Sequence, residues 1–409
     1  MLPSARCMLC TMPGRLEGAG AGLLLLCAVA CGEGSSDETG QQDTGDEAQP
    51  AGPEAAPDPS TWGPFPVGVQ TWRLQDDARG DDLPRPIVTE VWYPASEDAR
   101  EGEGVSYRLE DILRPDALAL VQGELDVELQ TDAVRDAPVR LSDGPYPVIL
   151  FSHGSGGIRA QSTYLTVFLA SHGYVVLSAD HDGNTLSDLL VDGDQRQESL
   201  LQSFQDRPRD LDFLVDHLRS LPESDPIREA IDLDRMGVAG HSFGALTSIR
   251  WMGLGADVRA VVAQAPPSID LVWLGMSKTL GDLDVPLMLH VGALDETTTP
   301  EDADTIWREA SAPRSRMTLA SGGHFTFSDM CLLDPESLAS AADIGVPEVI
   351  EKDCGPGRTP YDIAAPVMRH YAIGYFNAYL RDSPPSFDLL TEAAGKALAG
   401  DEVIFELER

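Results

Sequence analysis

With 409 residues, 42% of them hydrophobic, the chain has enough apolar material to bury a large core. Its 67 acidic against 29 basic residues give a formal charge of −38, which excludes nucleic acid as a partner, since phosphate binding needs a basic surface. The same sign opposes electrostatic attraction to anionic lipid headgroups, and solubility is the simplest reading of the acidity.

Residues 1–31 read as an export signal. Arg6 and Arg15 precede a short apolar stretch, Gly18 to Ala30, which is too short to span a bilayer comfortably. The stretch ends in Ala28-Val29-Ala30-Cys31-Gly32, similar to a bacterial lipobox, and the similarity implies cleavage before Cys31 and lipidation of that cysteine. Cleavage nearby as a plain signal peptide is the alternative. Residues 32–60 are rich in Gly, Ser, Asp, Glu, Gln, Thr and Pro, cannot offset chain entropy by burial, and are expected to be a disordered acidic tether. Residues 61–409 then read as a single domain. Four of the six cysteines fall in the first 31 residues, so processing leaves Cys331 and Cys354 as an unacylated pair, which suits a disulfide in an oxidising compartment.

Within the domain, Val67–Trp72 and Ile87–Pro94 alternate and are β-rich, predicting two antiparallel strands joined by a polar loop from Gln75 to Arg85. Residues 101–137 are amphipathic and expected to be partly helical, over Leu109 to Val121, either as a lid or as ordinary packing. Strands and helices alternate from there. Pro147–Phe151 is a buried strand, Thr163–Ser171 a helix stopped by Gly173, and Tyr174–Ala179 a strand. Residues 183–205 read as a polar connection and Arg209–Leu218 as an amphipathic helix. Further strands are expected at Met236–Ala239, Val258–Ala263, Pro286–Val291 and Met317–Leu319, with a final helix over Ala364–Leu380. Regular alternation of this kind predicts an α/β fold with a mainly parallel sheet and helices on both faces.

The chemistry gathers around Val238-Ala239-Gly240-His241-Ser242-Phe243-Gly244, a strand, a sharp turn and a helix with Ser242 in the frame Gly-x-Ser-x-Gly. That frame is the nucleophile elbow of α/β-hydrolases. A serine hydroxyl is a weak nucleophile at neutral pH and needs exposure to a base. In this fold the acid and the base follow the serine in that order. The leading acid is Asp295, in the loop after the strand ending at Val291; Glu296 is its obvious substitute, and Asp270 and Asp302 are weaker rivals. The base is His324, on a glycine-flanked loop past the last strand, because His172, His217, His241, His290 and His370 all have structural readings. Oxyanion donors are expected from the backbone N–H groups of Phe243 and of Ser155, in the loop His153-Gly154-Ser155-Gly156-Gly157, which lacks the Lys of a phosphate-binding loop. His153 would fix that loop. No metal-ligand spacing is present, and the triad chemistry requires no cofactor.

These residues, with Gly63-Pro64-Phe65-Pro66-Val67-Gly68-Val69, Val91-Trp92-Tyr93-Pro94-Ala95, Phe151-Ser152-His153-Gly154, Leu169-Ala170-Ser171-His172-Gly173-Tyr174 and Gly323-His324-Phe325, carry a resemblance. From about Gly63 to Leu380 the chain resembles the bacterial dienelactone hydrolase-like or platelet-activating-factor acetylhydrolase-like group, close to cutinase-like polyester hydrolases. The resemblance implies a serine ester hydrolase without a cofactor. It departs from true dienelactone hydrolases, whose nucleophile is cysteine. It departs also from the acetylhydrolase proper in the place of its acid, since Val262-Ala263-Gln264-Ala265-Pro266 carries no carboxylate; Asp295 matches the cutinase-like placement. A Cys331–Cys354 disulfide would close the loop after His324. The expected substrates are short-acyl esters, phospholipid acetyl esters or polyesters, met at a bacterial cell envelope through the N-terminal anchor or after secretion. Aromatic residues near the site, Phe243, Trp273, Phe325 and Phe327, suit an apolar acyl or aromatic group. The competing readings are an amidase or peptidase with the same triad, and a binding lipoprotein that has kept the fold without its chemistry.

Overall fold

Continuous apolar runs, which fit strands covered on both faces, form the middle of an 11-stranded sheet. The computed structural model describes residues 58–79, 84–121, 127–192, 196–272, 279–333 and 346–409, so the expected signal segment and all but the end of the expected tether lie outside the described residues. At the end of the expected tether, Pro59 is buried. In chain order the strands are β1 (Val67–Asp76), β2 (Arg85–Pro94), β3 (Gly104–Arg108), β4 (Glu128–Arg135), β5 (Tyr146–Ser152), β6 (Val175–Ala179), β7 (Ile231–His241), β8 (Ala260–Gln264), β9 (Leu287–Gly292), β10 (Arg314–Leu319) and β11 (Val403–Glu408). Their spatial order is β11-β10-β9-β8-β7-β5-β6-β2-β1-β4-β3.

The six strands from β6 to β10 are mutually parallel, with Ser152 beside Gly240, His241 beside Gln264 and Gln264 beside His290. β2 turns the sheet antiparallel on one side, pairing with β6 and, along its whole length, with β1. β11 does the same at the far edge, against β10. The chain leaves β5 for β6 on one side and then returns to place β7 on the other. The carboxyl ends of β5 and β7 therefore flank a topological switch point, where open α/β sheets bind ligands.

Helices α1 (Thr163–Ser171) and α7 (Tyr361–Leu380) cover one face, packing on Ile149, Phe151, Ala239 and Val262. Helices α3 (Arg196–Ser220), α4 (Phe243–Gly253) and α5 (Pro300–Glu309) cover the other, packing on Val148, Leu150, Val238 and Val261. Two shorter helices, α2 (Leu186–Asp192) and α6 (Val346–Cys354), belong to the excursions beside the carboxyl ends of the strands.

Two expectations fail here. Leu109 to Val121 is not one helix. It holds only short turns at Leu109–Ile112 and Pro115–Leu118, because Pro115 disfavours helical dihedrals at Arg114. Among the described residues of 101–137, Gly104–Arg108 and Glu128–Arg135 are strands, and Glu128–Arg135 alternates exposed and buried side chains, the period of a strand with one wet face. The second failure is 183–205, read as a polar connection, which contains α2 and the start of α3. Strand β11 lay beyond the predicted elements.

Candidate active site

Strand β7 delivers Ser242 at the turn into α4 with φ 56° and ψ −119°, a conformation strained for a residue with a Cβ. The glycines make the turn possible. A Cβ on Gly240 would stand 2.3 Å from the Gly244 oxygen, and one on Gly244 would stand 1.8 Å from the Ser152 oxygen. The Ser242 N–H is tied to the Gln264 carbonyl of β8 at 2.8 Å, leaving the side chain half-buried at the carboxyl edge of the sheet.

The three residues singled out from sequence meet in one line. Ser242 Oγ lies 2.9 Å from His324 Nε2, and His324 Nδ1 lies 2.8 Å from Asp295 Oδ2. The order requires Nδ1 to carry the proton in the resting ring, leaving Nε2 free to accept the hydroxyl proton. Asp295 is set after β9 and accepts from the Thr297 and Thr298 N–H groups at 2.8 and 2.9 Å. Burial would raise its carboxyl, but these donors and His324 outweigh that and hold it below the ordinary value. The three rivals do not reach the histidine. Glu296 pairs with Lys352 at 2.8 Å, Asp302 caps α5 through Thr299, and Asp270 is exposed.

The loop after β5 supplies a second set of groups. The N–H groups of Gly154, Gly156 and Gly157 are spent on Gln161 Oε1, Asn184 O and Gly154 O, at 2.9, 3.2 and 3.2 Å. Among the described residues the Ser155 N–H has no acceptor. Phe243 opens α4, in the turn whose N–H groups have no intrahelical partner. His153 Nδ1 donates to the Gly154 carbonyl at 2.7 Å and its Nε2 accepts from the His181 N–H at 3.1 Å, so it ties the loop to the end of β6. Burial keeps His153 neutral, well below the usual histidine range.

His241, inside the elbow, couples the two sets. Its Nε2 donates to the His324 carbonyl at 2.9 Å, and its Nδ1 accepts from Gln161 Nε2 at 2.8 Å. Gln161 Oε1 is the acceptor for Gly154, so one tautomer of His241 satisfies the whole path from the histidine loop to the glycine loop. Burial, and then the neighbouring His324, push His241 down to about 3, so that tautomer is neutral.

Beneath the glycine loop lies a group of side chains the sequence reading did not single out. Ser152 Oγ lies 2.9 Å from His181 Nε2, and His181 Nδ1 donates to Asp210 Oδ2 at 2.8 Å. This line repeats the atom order of Ser242, His324 and Asp295, yet all three members are fully buried, so it has no access to a substrate. Burial pushes His181 down to about 4. Arg207 of α3 lies over the same loop. One signal for this group was present: Arg207, Asp210, Leu211, Leu214 and Leu218 share the i, i+3, i+4, i+7, i+11 stripe of the α3 core face, where charges are costly unless used.

Of the expected aromatic wall, Phe243 and Phe325 are half-buried beside the triad, whereas Phe327 is a core residue packed toward His290. Trp273 lies outside the described residues. A disulfide joins Cys331 to Cys354. It ties the segment after His324 to the end of α6. Asp329 of that segment accepts from Thr163 Oγ1 at 2.8 Å, Tyr164 N at 3.2 Å and Tyr361 Oη at 2.9 Å, holding it against α1 and α7.

A strained serine at the switch point of a doubly covered parallel sheet, followed in sequence by its acid and its histidine, decides the architecture. The chain has the α/β-hydrolase fold. Among solved structures it is similar to a ferulic acid esterase from Streptomyces cinnamoneus, with a TM-score of 0.62 and 25% identity, covering 83% of this chain and 96% of that one. Residues 59–202 match the family described as platelet-activating factor acetylhydrolase, isoform II, and residues 143–270 match serine aminopeptidase, S33. The platelet-activating factor acetylhydrolase of Cavia porcellus is 24% identical over 228 residues, 47% of this chain and 49% of that protein. Cutinase est1 of Thermobifida alba is 26% identical over 155 residues, 38% of this chain and 44% of that protein. The chain is thus similar to acetylhydrolases and cutinases, and spans about half or less of the length of the curated relatives it matches.

Among the described residues no cluster of histidine, cysteine and carboxylate side chains is arranged to hold a metal ion, and no helix is long and apolar enough to cross a membrane.

Proposed function

We propose that this α/β-hydrolase is an exported serine carboxylester hydrolase that works through an acyl-enzyme on Ser242. The observation that carries the reading is the unbroken line from Ser242 Oγ through His324 to Asp295, at 2.9 and 2.8 Å. His324 Nε2 takes the hydroxyl proton as Ser242 attacks the ester carbonyl, and Asp295 stabilises the imidazolium that results. The Ser155 and Phe243 N–H groups receive the oxyanion. Collapse of the tetrahedral intermediate returns the proton from His324 to the departing alcohol. Water then enters, gives a proton to His324, and releases the acid.

The substrates that fit this reading are short-acyl esters, phospholipid acetyl esters or polyesters. The likeness to acetylhydrolases, cutinases and a ferulic acid esterase supports the class, and half-buried Phe243 and Phe325 suit an apolar acyl or aromatic group. Residues 1–31 are proposed as a lipoprotein signal, 32–60 as the tether and 61–409 as the catalytic domain, with Cys31 carrying the lipid. Detergent phase partitioning of the full chain expressed in bacteria checks the anchor: a Cys31→Ser protein that still enters the detergent phase overturns it.

The deciding experiment is hydrolysis of p-nitrophenyl esters from acetate to palmitate, beside Ser242→Ala. Turnover is expected to fall by about 10⁶ in the variant and to favour short chains. The match to the aminopeptidase family keeps amide hydrolysis as the second reading. Faster turnover of matched amides than esters would move the assignment there, and no Ser242-dependent turnover of either would leave the binding reading.

A further inference from the structure

Arg207 is the one charged residue among the largest fully buried side chains, and the chemistry above leaves it unused. Burying a guanidinium is costly unless its charge and donors are answered. Among the described residues no carboxylate touches it, and burial pulls it down to about 9, so it remains a cation at neutral pH. Its Nη donors go instead to backbone and amide oxygens around the glycine loop, while its Nε has no partner among the described residues. Nη1 donates to the His153 carbonyl at 2.5 Å; Nη2 donates to the Gly154 carbonyl at 3.0 Å and to Asn184 Oδ1 at 2.5 Å.

The Gly154 carbonyl matters because of peptide planarity. In a trans peptide the C=O of one residue and the N–H of the next point in opposite directions. Arg207 and His153 both hold the Gly154 oxygen, so the Ser155 N–H is fixed facing away from α3. Gly154 itself abuts the nucleophile, since a Cβ on it would stand 3.6 Å from Ser242 Cβ. The same guanidinium lies over the ring of Phe243, 4.8 Å from its centre, beneath the residue that offers the other donor.

We propose that Arg207 is a positioning residue for the oxyanion: it clamps the Gly154–Ser155 peptide, braces Phe243, and puts a buried positive charge behind both donors. The proposal rests on the serine-hydrolase reading. A preset donor in a site shielded from water stabilises charge that appears only in the transition state, so the effect belongs in kcat and not in KM. Asn184 holds the guanidinium in place. The Asp210–His181–Ser152 line beneath presents Ser152 Oγ to Nη1 at 3.4 Å.

The test compares the full chain with Arg207→Met, Arg207→Lys and Asn184→Ala. Turnover of p-nitrophenyl acetate is expressed per site titrated with a fluorophosphonate, and inhibition by phenylboronic acid, which forms a tetrahedral anion on serine, is measured beside it. Arg207→Met is expected to lose about 10²-fold in kcat with KM within about 3-fold, and to lose boronate affinity in parallel. Arg207→Lys should recover about tenfold of that loss, and Asn184→Ala should lose about 5-fold in both readings. Unchanged kcat per titrated site, or a fall in kcat with boronate affinity intact, overturns the proposal. If Arg207→Met does not fold, Asn184→Ala decides on the same two readings. Failure of the unaltered protein to show Ser242-dependent turnover counts instead against the hydrolase reading itself.

Discussion

Under the proposed chemistry Asp295 has two tasks, and they can be separated. It would fix the His324 tautomer through Nδ1, and it would offer a charge to the imidazolium. Asn at this position keeps the shape but presents either a donor to Nδ1 or an uncharged acceptor. Asp295→Asn is therefore expected to lower kcat by about 10³ to 10⁴ with KM little changed. Single-turnover kinetics checks it, and a loss confined to KM would remove Asp295 from the proposed chemistry. The triad was legible in sequence because each member sits just past a strand and the chain order of the fold is fixed. The residues that hold the triad in place were not legible. Gln161, His181 and Arg207 lie 81, 61 and 35 positions before Ser242, and only the fold brings them under the loop. His153 was read for its local effect alone, though its partner His181 is 28 residues away.

At the scale of elements, the segment after His324 is the one most dependent on a covalent tie. The Cys331–Cys354 bridge closes a loop of 23 residues and restricts the unfolded chain, which stabilises by about 3 kcal/mol in the loop-entropy view. Cys331→Ser/Cys354→Ser should lower the urea midpoint accordingly, and specific activity should fall as well because the segment borders His324. Equal midpoints for the two proteins would show the bridge to be dispensable. The strands that make up the parallel core were legible because both faces are buried and the apolar runs are unbroken. The β3–β4 region was misread because apolar residues at mixed spacing suit a helix as well as a strand. Its short turns gave no capping signal to separate the two: neither Arg108 nor Arg114 makes a side-chain cap.

For the whole molecule, the buried histidines set the response to acid. Burial holds His181, His241 and His290 down to about 4, 3 and 3, and His153 well below the usual value. In the unfolded chain each titrates near 6.5. Between pH 6.5 and about 4 the unfolded chain therefore binds more protons, and stability falls as pH falls, by about 1.4 kcal/mol per pH unit for each net proton. Asp329, raised to about 6 by burial, acts in the opposite sense, as do Asp180, Asp182 and Asp353, whose carboxyls burial also raises. They stand against seven histidines, since burial pushes His172 down to about 4 and lowers His217 and His370 as well. Urea midpoints at pH 7, 6 and 5 should thus decline steadily, and a flat series would contradict neutral burial of these rings. The charge of −38 adds self-repulsion, so the melting temperature should rise between 10 and 500 mM salt.

Strand β11 pairs with β10 along its full length, and the Glu402 just before it receives the Ser321 N–H at 2.6 Å, three residues ahead of His324. A growing polypeptide leaves the ribosome amino end first. Residues 402–408 emerge nearly eighty residues after His324 and one hundred and sixty after Ser242. Until they do, the loop that carries His324 lacks its outer support. A chain destined for export under the proposal made above would thus remain chemically silent during synthesis, and truncation before Glu402 should yield a protein that keeps its serine but labels slowly with a fluorophosphonate.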